Sequence, residues 1–180
     1  MMAPFLFARR RRYNRKKVRR RTPAKGDVMH LLFVCHGNIC RSPMAEWIMK
    51  DLVHTAGLSK KISISSAALT TEEIGHDMYP PAKRMLAAKG IPFSPHRARL
   101  MTRADYAAAD LVLAMDEENL YHLRRLIGED RAGKIHLLME YAGEKREVAD
   151  PWYTGNFRKT YDDIRRGCEG LLQAVRNSGC

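Results

Sequence analysis

Cys35 and Arg41 stand five residues apart, and Ser42 and Pro43 follow at once, in the run Cys35-His36-Gly37-Asn38-Ile39-Cys40-Arg41-Ser42-Pro43. An apolar run of strand length, Leu31-Leu32-Phe33-Val34, precedes it, and a helical pattern follows. A tight loop between a strand and a helix turns successive backbone N–H groups inward, and the helix N-terminus adds its positive dipole end. The stretch His36 to Ser42, with Ile39 and Cys40 inside it, can therefore cradle an oxyanion. Gly37 permits close backbone approach, and Asn38 tolerates a left-handed conformation better than most residues. Arg41 can grip two phosphate oxygens with parallel N–H bonds, which lysine cannot reproduce. The same positive surroundings suit a thiolate at Cys35, to which the Ser42 hydroxyl can donate. A thiolate beneath a bound phosphate is placed for in-line attack, giving a cysteinyl-phosphate. Taken singly, a strand-end thiol is commonly a core residue and an arginine a solvated one. The flanking strand, the glycine and the helix start set this group apart.

Expelling an aryl oxygen from phosphorus needs a proton donor, or the leaving group departs as a costly phenolate. Asp150, in Val148-Ala149-Asp150-Pro151-Trp152-Tyr153, is the candidate. Pro151 stiffens the loop, and Trp152 and Tyr153 can wall in a substrate ring. An isolated Asp-Pro is usually only a turn. Beside the Cys35 loop it reads as a general acid, and then as the base that activates water.

These groups need a scaffold that brings the two loops together. Strands are expected at Leu31–Val34, Ile62–Ser66, Leu111–Met115 and Ile135–Leu138. Pro43 begins a helix with Met44, Trp47, Ile48 and Leu52 on one face, and Pro81 begins another that Gly90 can stop. Thr102 can cap a short helix ending near Asp110, and Asp116 can cap Glu117–Ile127. A last helix runs from about Phe157 to Val175, with Ile164, Cys168, Leu171 and Val175 as a core face. Alternating strands and helices with apolar strands predict an α/β domain, a parallel sheet with helices on both faces.

The net charge of +12 is concentrated at one end. Residues 1–28 hold eleven Arg or Lys and one acid, so they carry +10 and leave +2 for the other 152 residues. Such a run has no apolar periodicity and repels itself, which predicts disorder over 1–28 and a folded domain over 29–180. The tail suits contact with nucleic acid or an acidic membrane surface. The reading favoured here is upstream sequence, with Met29 as initiator, because the first strand opens at Met29 and the tail lacks interleaved aromatics. Four cysteines do not make a disulfide scaffold at this length, and neither an export signal nor a stretch of membrane-spanning length is present. The expected compartment is the cytoplasm, with reduced thiols.

The segment Val34 to Glu46 closely resembles the signature of the low-molecular-weight protein tyrosine phosphatases, and Asp150-Pro151-Trp152-Tyr153 resembles that family's acid loop. The likeness spans about residues 29–177, takes in Ile64-Ser65-Ser66-Ala67 and His96-Arg97-Ala98-Arg99, and excludes the tail. It implies a single domain with a four-stranded parallel sheet, and hydrolysis of protein phosphotyrosine by Cys35, Arg41 and Asp150. It also implies that Asn38, Ser42, Ser66 and His96 brace the phosphate loop, although a purely structural part suits Ser66 and His96 equally. No metal or other cofactor is expected. The implied partner is a phosphotyrosine-containing protein, a tyrosine kinase being one by analogy.

Two departures from the family pattern stand out. Glu72 takes the place of an aromatic rim residue in Thr70–Gly75, and an acid there favours basic peptides. Ala68 replaces a usual glycine and is expected to alter only a loop. Cys40 can pair with Cys35 in a reversible disulfide that guards against over-oxidation, or can simply be a small buried side chain. Three rival functions stay open. An arsenate reductase would need further redox cysteines, and none lies between Cys40 and Cys168. A protein-arginine phosphatase of the same fold resembles this loop but places Thr where Ile39 stands. A non-catalytic phosphate- or nucleic-acid-binding module leaves the pairing of Cys35 with Asp150 unexplained.

Overall fold

Along Met29–Cys35 (β1) the side chains alternate between two cores, which fixes this strand at the centre of the molecule. In the computed structural model, which describes residues 28–178, Leu31 and Phe33 pack into one cluster and Leu32 and Val34 into another, all fully buried. A strand buried on both faces must be covered by helices on both sides. Its neighbours are Ile62–Ala68 (β2) and Leu111–Ala114 (β3), with Ile135–Leu137 (β4) beyond β3. All pairings are parallel and the order is β2-β1-β3-β4, the four-stranded sheet implied by the family resemblance. The register sets Cys35 opposite Ala68 and Val34 opposite Ala114.

The helices are Arg41–Thr55 (α1), Pro80–Ala88 (α2), Arg103–Ala108 (α3), Glu117–Ile127 (α4), Pro151–Thr154 (α5) and Phe157–Asn177 (α6), with a 3-10 turn at Leu138–Ala142. One core joins α1, α2 and α6 to the sheet through Met44, Ile48, Leu86, Ile164, Cys168 and Leu171. The other joins α4 and the segment beside α3 through Leu123, Met101 and Ala109. Burying each large side chain contributes about 1.5–3 kcal/mol. The 3-10 turn sits hard against α6 because two glycines make room for it. A Cβ on Gly170 would fall 2.0 Å from the Tyr141 carbonyl oxygen, and one on Gly167 would fall 2.6 Å from Leu138 Cγ.

Several boundaries differ from the sequence reading. Helix α1 begins at Arg41 rather than Pro43, because the loop delivers the chain already helical; Pro43 still falls within the first turn, where amides lack intrahelical partners. Strand β2 runs on to Ala68, so Ala68 is a buried strand residue and not part of a loop. Its amide donates to the Arg99 carbonyl at 2.7 Å, which extends the pairing. Thr102 forms a reciprocal cap with Asp105, and Asp116 caps α4 by accepting from the Asn119 amide, both at the expected positions. The reading of residues 1–27 falls outside the described residues. No described helix is long and apolar enough to cross a membrane.

Candidate active site

The sheet reverses its winding direction between β1 and β3, so the C-terminal ends of these two strands open a crevice, the usual ligand position in an open parallel sheet. The loop from Cys35 to Arg41 fills it. Asn38 is the one non-glycine residue with a positive φ among those described, at 58°. Its fully buried side chain holds the turn in place. Nδ2 donates to Ser42 Oγ at 2.9 Å and to Ser66 Oγ at 2.8 Å, while Oδ1 accepts from the Arg99 amide at 3.3 Å. Ser66 in turn donates to Glu46 at 2.5 Å. The Asn38 carbonyl lies 2.7 Å from His96 Nε2; a carbonyl only accepts, so this ring nitrogen carries the proton. The carbonyls of His36 and Ile39 also turn outward, to the amides of Thr70 and Tyr79. With the carbonyls so engaged, the loop amides are left for the concave side, the arrangement of an anion nest.

Cys35 Sγ lies 3.0 Å from Ser42 Oγ and 3.5 Å from the Ser42 amide nitrogen. Because that hydroxyl already accepts from Asn38, its own hydrogen is free to point at sulfur. Arg41, 3% exposed, presents its two terminal nitrogens to two carboxylates: Nη1 to Asp116 at 2.5 Å and Nη2 to Asp150 at 2.6 Å. Burial works against its charge, but Cys35, Asp116 and Asp150 outweigh that and hold the guanidinium above its ordinary value. Burial, with Cys35 and Asp150 nearby, pushes the Cys40 thiol up to about 12, so Cys40 stays neutral. Cys35, Cys40 and Cys168 are all free thiols.

Asp150 is held from several sides. It caps α5 by accepting from the Trp152 amide at 2.9 Å, the amide of Val148 donates to the Met115 carbonyl, and Thr160 Oγ1 donates to the Ala149 carbonyl at 2.8 Å. Asp163, wholly buried on α6, accepts from the Ala149 amide at 3.3 Å and pairs with Arg146 at 2.6 Å. Trp152 packs against Tyr79 with the rings tilted by 57° and their centroids 5.8 Å apart.

These groups enclose a cavity of about 280 Å³. The buried Cys35, Cys40 and Arg41 line its depth, with Gly37 and Asp150; Ile39, Trp152 and Tyr153 give apolar wall, and His36, Glu72, Glu73 and Glu118 complete the lining. Asn38, Ser42, Ser66 and His96 lie behind the loop, in the bonds that shape it. Asp116, Asp163 and Glu46 did not emerge as site residues from the sequence. Asp116 read only as a helix cap, and the one signal that could have raised it was its place just past the C-terminal end of a parallel strand.

A parallel sheet that ends in a Cys-x5-Arg anion cradle, with a carboxylate facing it from a distant loop, defines the phosphate-loop class of cysteine proteins. Residues 30–179 match the family model described as low molecular weight phosphotyrosine protein phosphatase, and the chain belongs to that family. It is 38% identical over 151 residues to the low molecular weight protein-tyrosine-phosphatase YfkJ of Bacillus subtilis, covering 83% of this chain and 97% of that one. The human low molecular weight phosphotyrosine protein phosphatase is 37% identical over 155 residues, with 83% and 98% covered. Among solved structures, YfkJ superposes with a TM-score of 0.83 over 87% of this chain and 99% of its own, at 37% identity. A Drosophila arginine phosphatase is also similar, with a TM-score of 0.73 at 33% identity over 81% of this chain and 97% of its own.

Proposed function

We propose that the protein hydrolyses phosphotyrosine on other proteins through a cysteinyl-phosphate. The supporting observation is the convergence of Cys35, Arg41 and Asp150 in one cavity, with Asp150 drawn from 115 positions beyond Cys35. The Cys35 thiolate attacks phosphorus, the bond to the tyrosyl oxygen breaks, and Asp150 gives that oxygen its proton. Water then attacks the phosphocysteine, Asp150 takes the water's proton, and phosphate leaves with Cys35 restored as thiolate. Arg41 and the loop amides balance the charge on the equatorial oxygens at each stage. For the phosphate to enter, Arg41 turns part of its fork from the carboxylates to the substrate.

Ile39, Trp152 and Tyr153 suit the aromatic ring of phosphotyrosine better than the cationic chain of phosphoarginine. Beyond Cys40, arsenate reduction lacks the further redox thiol it needs among the described residues, since Cys168 is buried in the core and burial pushes its thiol up. Glu72, Glu73 and Glu118 give the cavity an acidic edge, which favours basic residues beside the phosphotyrosine. A tyrosine kinase bearing phosphotyrosine in such a context is one substrate by analogy. We place the reaction in the cytoplasm, in keeping with the free thiols. The test is hydrolysis of an aryl phosphate with EDTA present. Cys35→Ser should abolish turnover and Asp150→Asn lower it by about 10²–10⁴; retained activity in Cys35→Ser overturns the mechanism.

A further inference from the structure

We propose that the mouth of the cavity holds a binding site for a divalent cation of the zinc class, made by His36, Glu118 and His122, and that its occupation slows entry of substrate. Glu118 and His122 are four residues apart on α4 and so share one face. His36 comes from the phosphate loop, immediately after Cys35. One ligand atom from each of the three lies within 4.8 Å of the other two. Glu118 Oε1 stands 3.8 Å from His36 Nδ1 and 3.8 Å from His122 Nε2, between two ring nitrogens and too far from either for a hydrogen bond.

Zinc bonds nitrogen and oxygen at about 2.0–2.2 Å, which puts tetrahedral ligand atoms roughly 3.3 Å apart. The three groups need to close by no more than about 1.5 Å, a side-chain adjustment. All three are solvent-accessible, with side chains 36%, 55% and 28% exposed, so nothing packed has to yield.

A separate observation points to the same ligand. The other nitrogen of His36, Nε2, lies 2.9 Å from Glu72 Oε2. A carboxylate can only accept from the ring, which places the proton on Nε2 and turns the lone pair of Nδ1 toward Glu118 and His122. A carboxylate orienting the far nitrogen of an imidazole is the recurrent outer support of metal-bound histidine. Two imidazoles and one carboxylate leave a fourth position for water, and Glu72 and Glu118 together match the ionic charge. The ion would tie the phosphate loop to α4 across the cavity mouth, since His36 and Glu118 both line it.

None of the three ligands is Cys35, Arg41 or Asp150, and the hydrolysis proposed above runs with EDTA present. Calorimetric titration of the full chain with zinc should show one equivalent bound. His122→Ala and, independently, Glu118→Gln should weaken it by at least about tenfold while the circular dichroism melt is retained. Cys35→Ser should bind as the unmodified chain does, which reads the site without any turnover. Residues 1–28 contain neither His nor Cys, so the tail brings no imidazole or thiol to the titration. Aryl phosphate hydrolysis by the unmodified chain should fall as zinc fills the site. His122→Ala should match its turnover in EDTA and need at least about tenfold more zinc for the same inhibition. Equal zinc affinity in His122→Ala, or loss of binding in Cys35→Ser, overturns the assignment; binding without inhibition overturns its effect on substrate entry.

Discussion

Replacing Asp163 by Asn tests how the loop bearing Asp150 is held. The Asp163 carboxylate is wholly buried; it accepts from Arg146 at 2.6 and 2.9 Å, from the Ala149 amide at 3.3 Å, and from Lys159. Asn keeps the shape but removes the charge and turns one acceptor into a donor. Each charge-assisted bond contributes about 1.5–3 kcal/mol. The cationic partners are 35% and 49% exposed, so water recovers part of the loss. The expected cost is therefore about 2–3 kcal/mol, below the ~3–5 kcal/mol of a pair sealed from solvent. In urea denaturation at pH 7 this lowers the midpoint by about 1–2 M. Burial pushes the Asp163 carboxyl up, but Arg146, Lys159 and the Ala149 amide outweigh it and hold it below its ordinary value. A depressed carboxyl stabilises fully above its unfolded pKa, about 3.9, and the contribution disappears as pH falls through the lower folded value. The gap between the two proteins should thus close below about pH 4. Turnover should fall more for an aryl phosphate with a basic leaving group than for one with an acidic leaving group, since only the former depends on Asp150. A urea midpoint within about 0.3 M of the unmodified protein at pH 7, or a gap that survives full acidification, would refute the reasoning.

Two further predictions concern the loop and the edge of the cavity. Asn38→Gly and Asn38→Ala should both cut aryl phosphate turnover by at least about tenfold, because each removes the bonds to Ser42, Ser66 and Arg99. The Ala form should also be less stable in urea by about 1–2 kcal/mol, the cost of a Cβ at positive φ; equal stabilities would show that the turn relaxes. Glu72→Gln should narrow the preference for basic over acidic phosphotyrosine peptides by about fivefold at low salt and less at high salt, measured as kcat/KM ratios. An unchanged ratio would mean that the edge does not read the flanking sequence.

The centre of the sheet was legible because burial on both faces imposes an apolar run, which β1 and β3 carry, while the edge strands β2 and β4 mix apolar with polar residues. Cys35, Arg41 and Ser42 were legible because the cradle is local and its residues stand in a fixed order. Asp150 was legible only as the partner that such a cradle calls for. The less visible parts are the non-local ones. The pairing of Asp116 with Arg41 spans 75 positions and leaves no periodic trace. The same holds for Asp163 beneath the acid loop. The 3-10 turn at Leu138–Ala142 follows from the space above Gly167 and Gly170, which no local propensity encodes. His36, Glu118 and His122 are brought together only when α4 docks beside the loop.

The 115 positions between Cys35 and Asp150 also carry a consequence for synthesis. A ribosome adds about 5–20 residues each second, so roughly ten seconds separate the two side chains during translation. In the later part of that interval Cys35, the nucleophile of the proposed mechanism, has left the ribosome before Asp150, its proposed proton donor, has been made. On the mechanism proposed above, full phosphate ester turnover therefore awaits delivery of Asp150, and full activity on refolding requires the docking of that late-made loop as well as formation of the sheet. The same interval leaves the Cys35 sulfur unguarded by that loop, so an oxidant present during synthesis should inactivate more product than the same dose given afterwards.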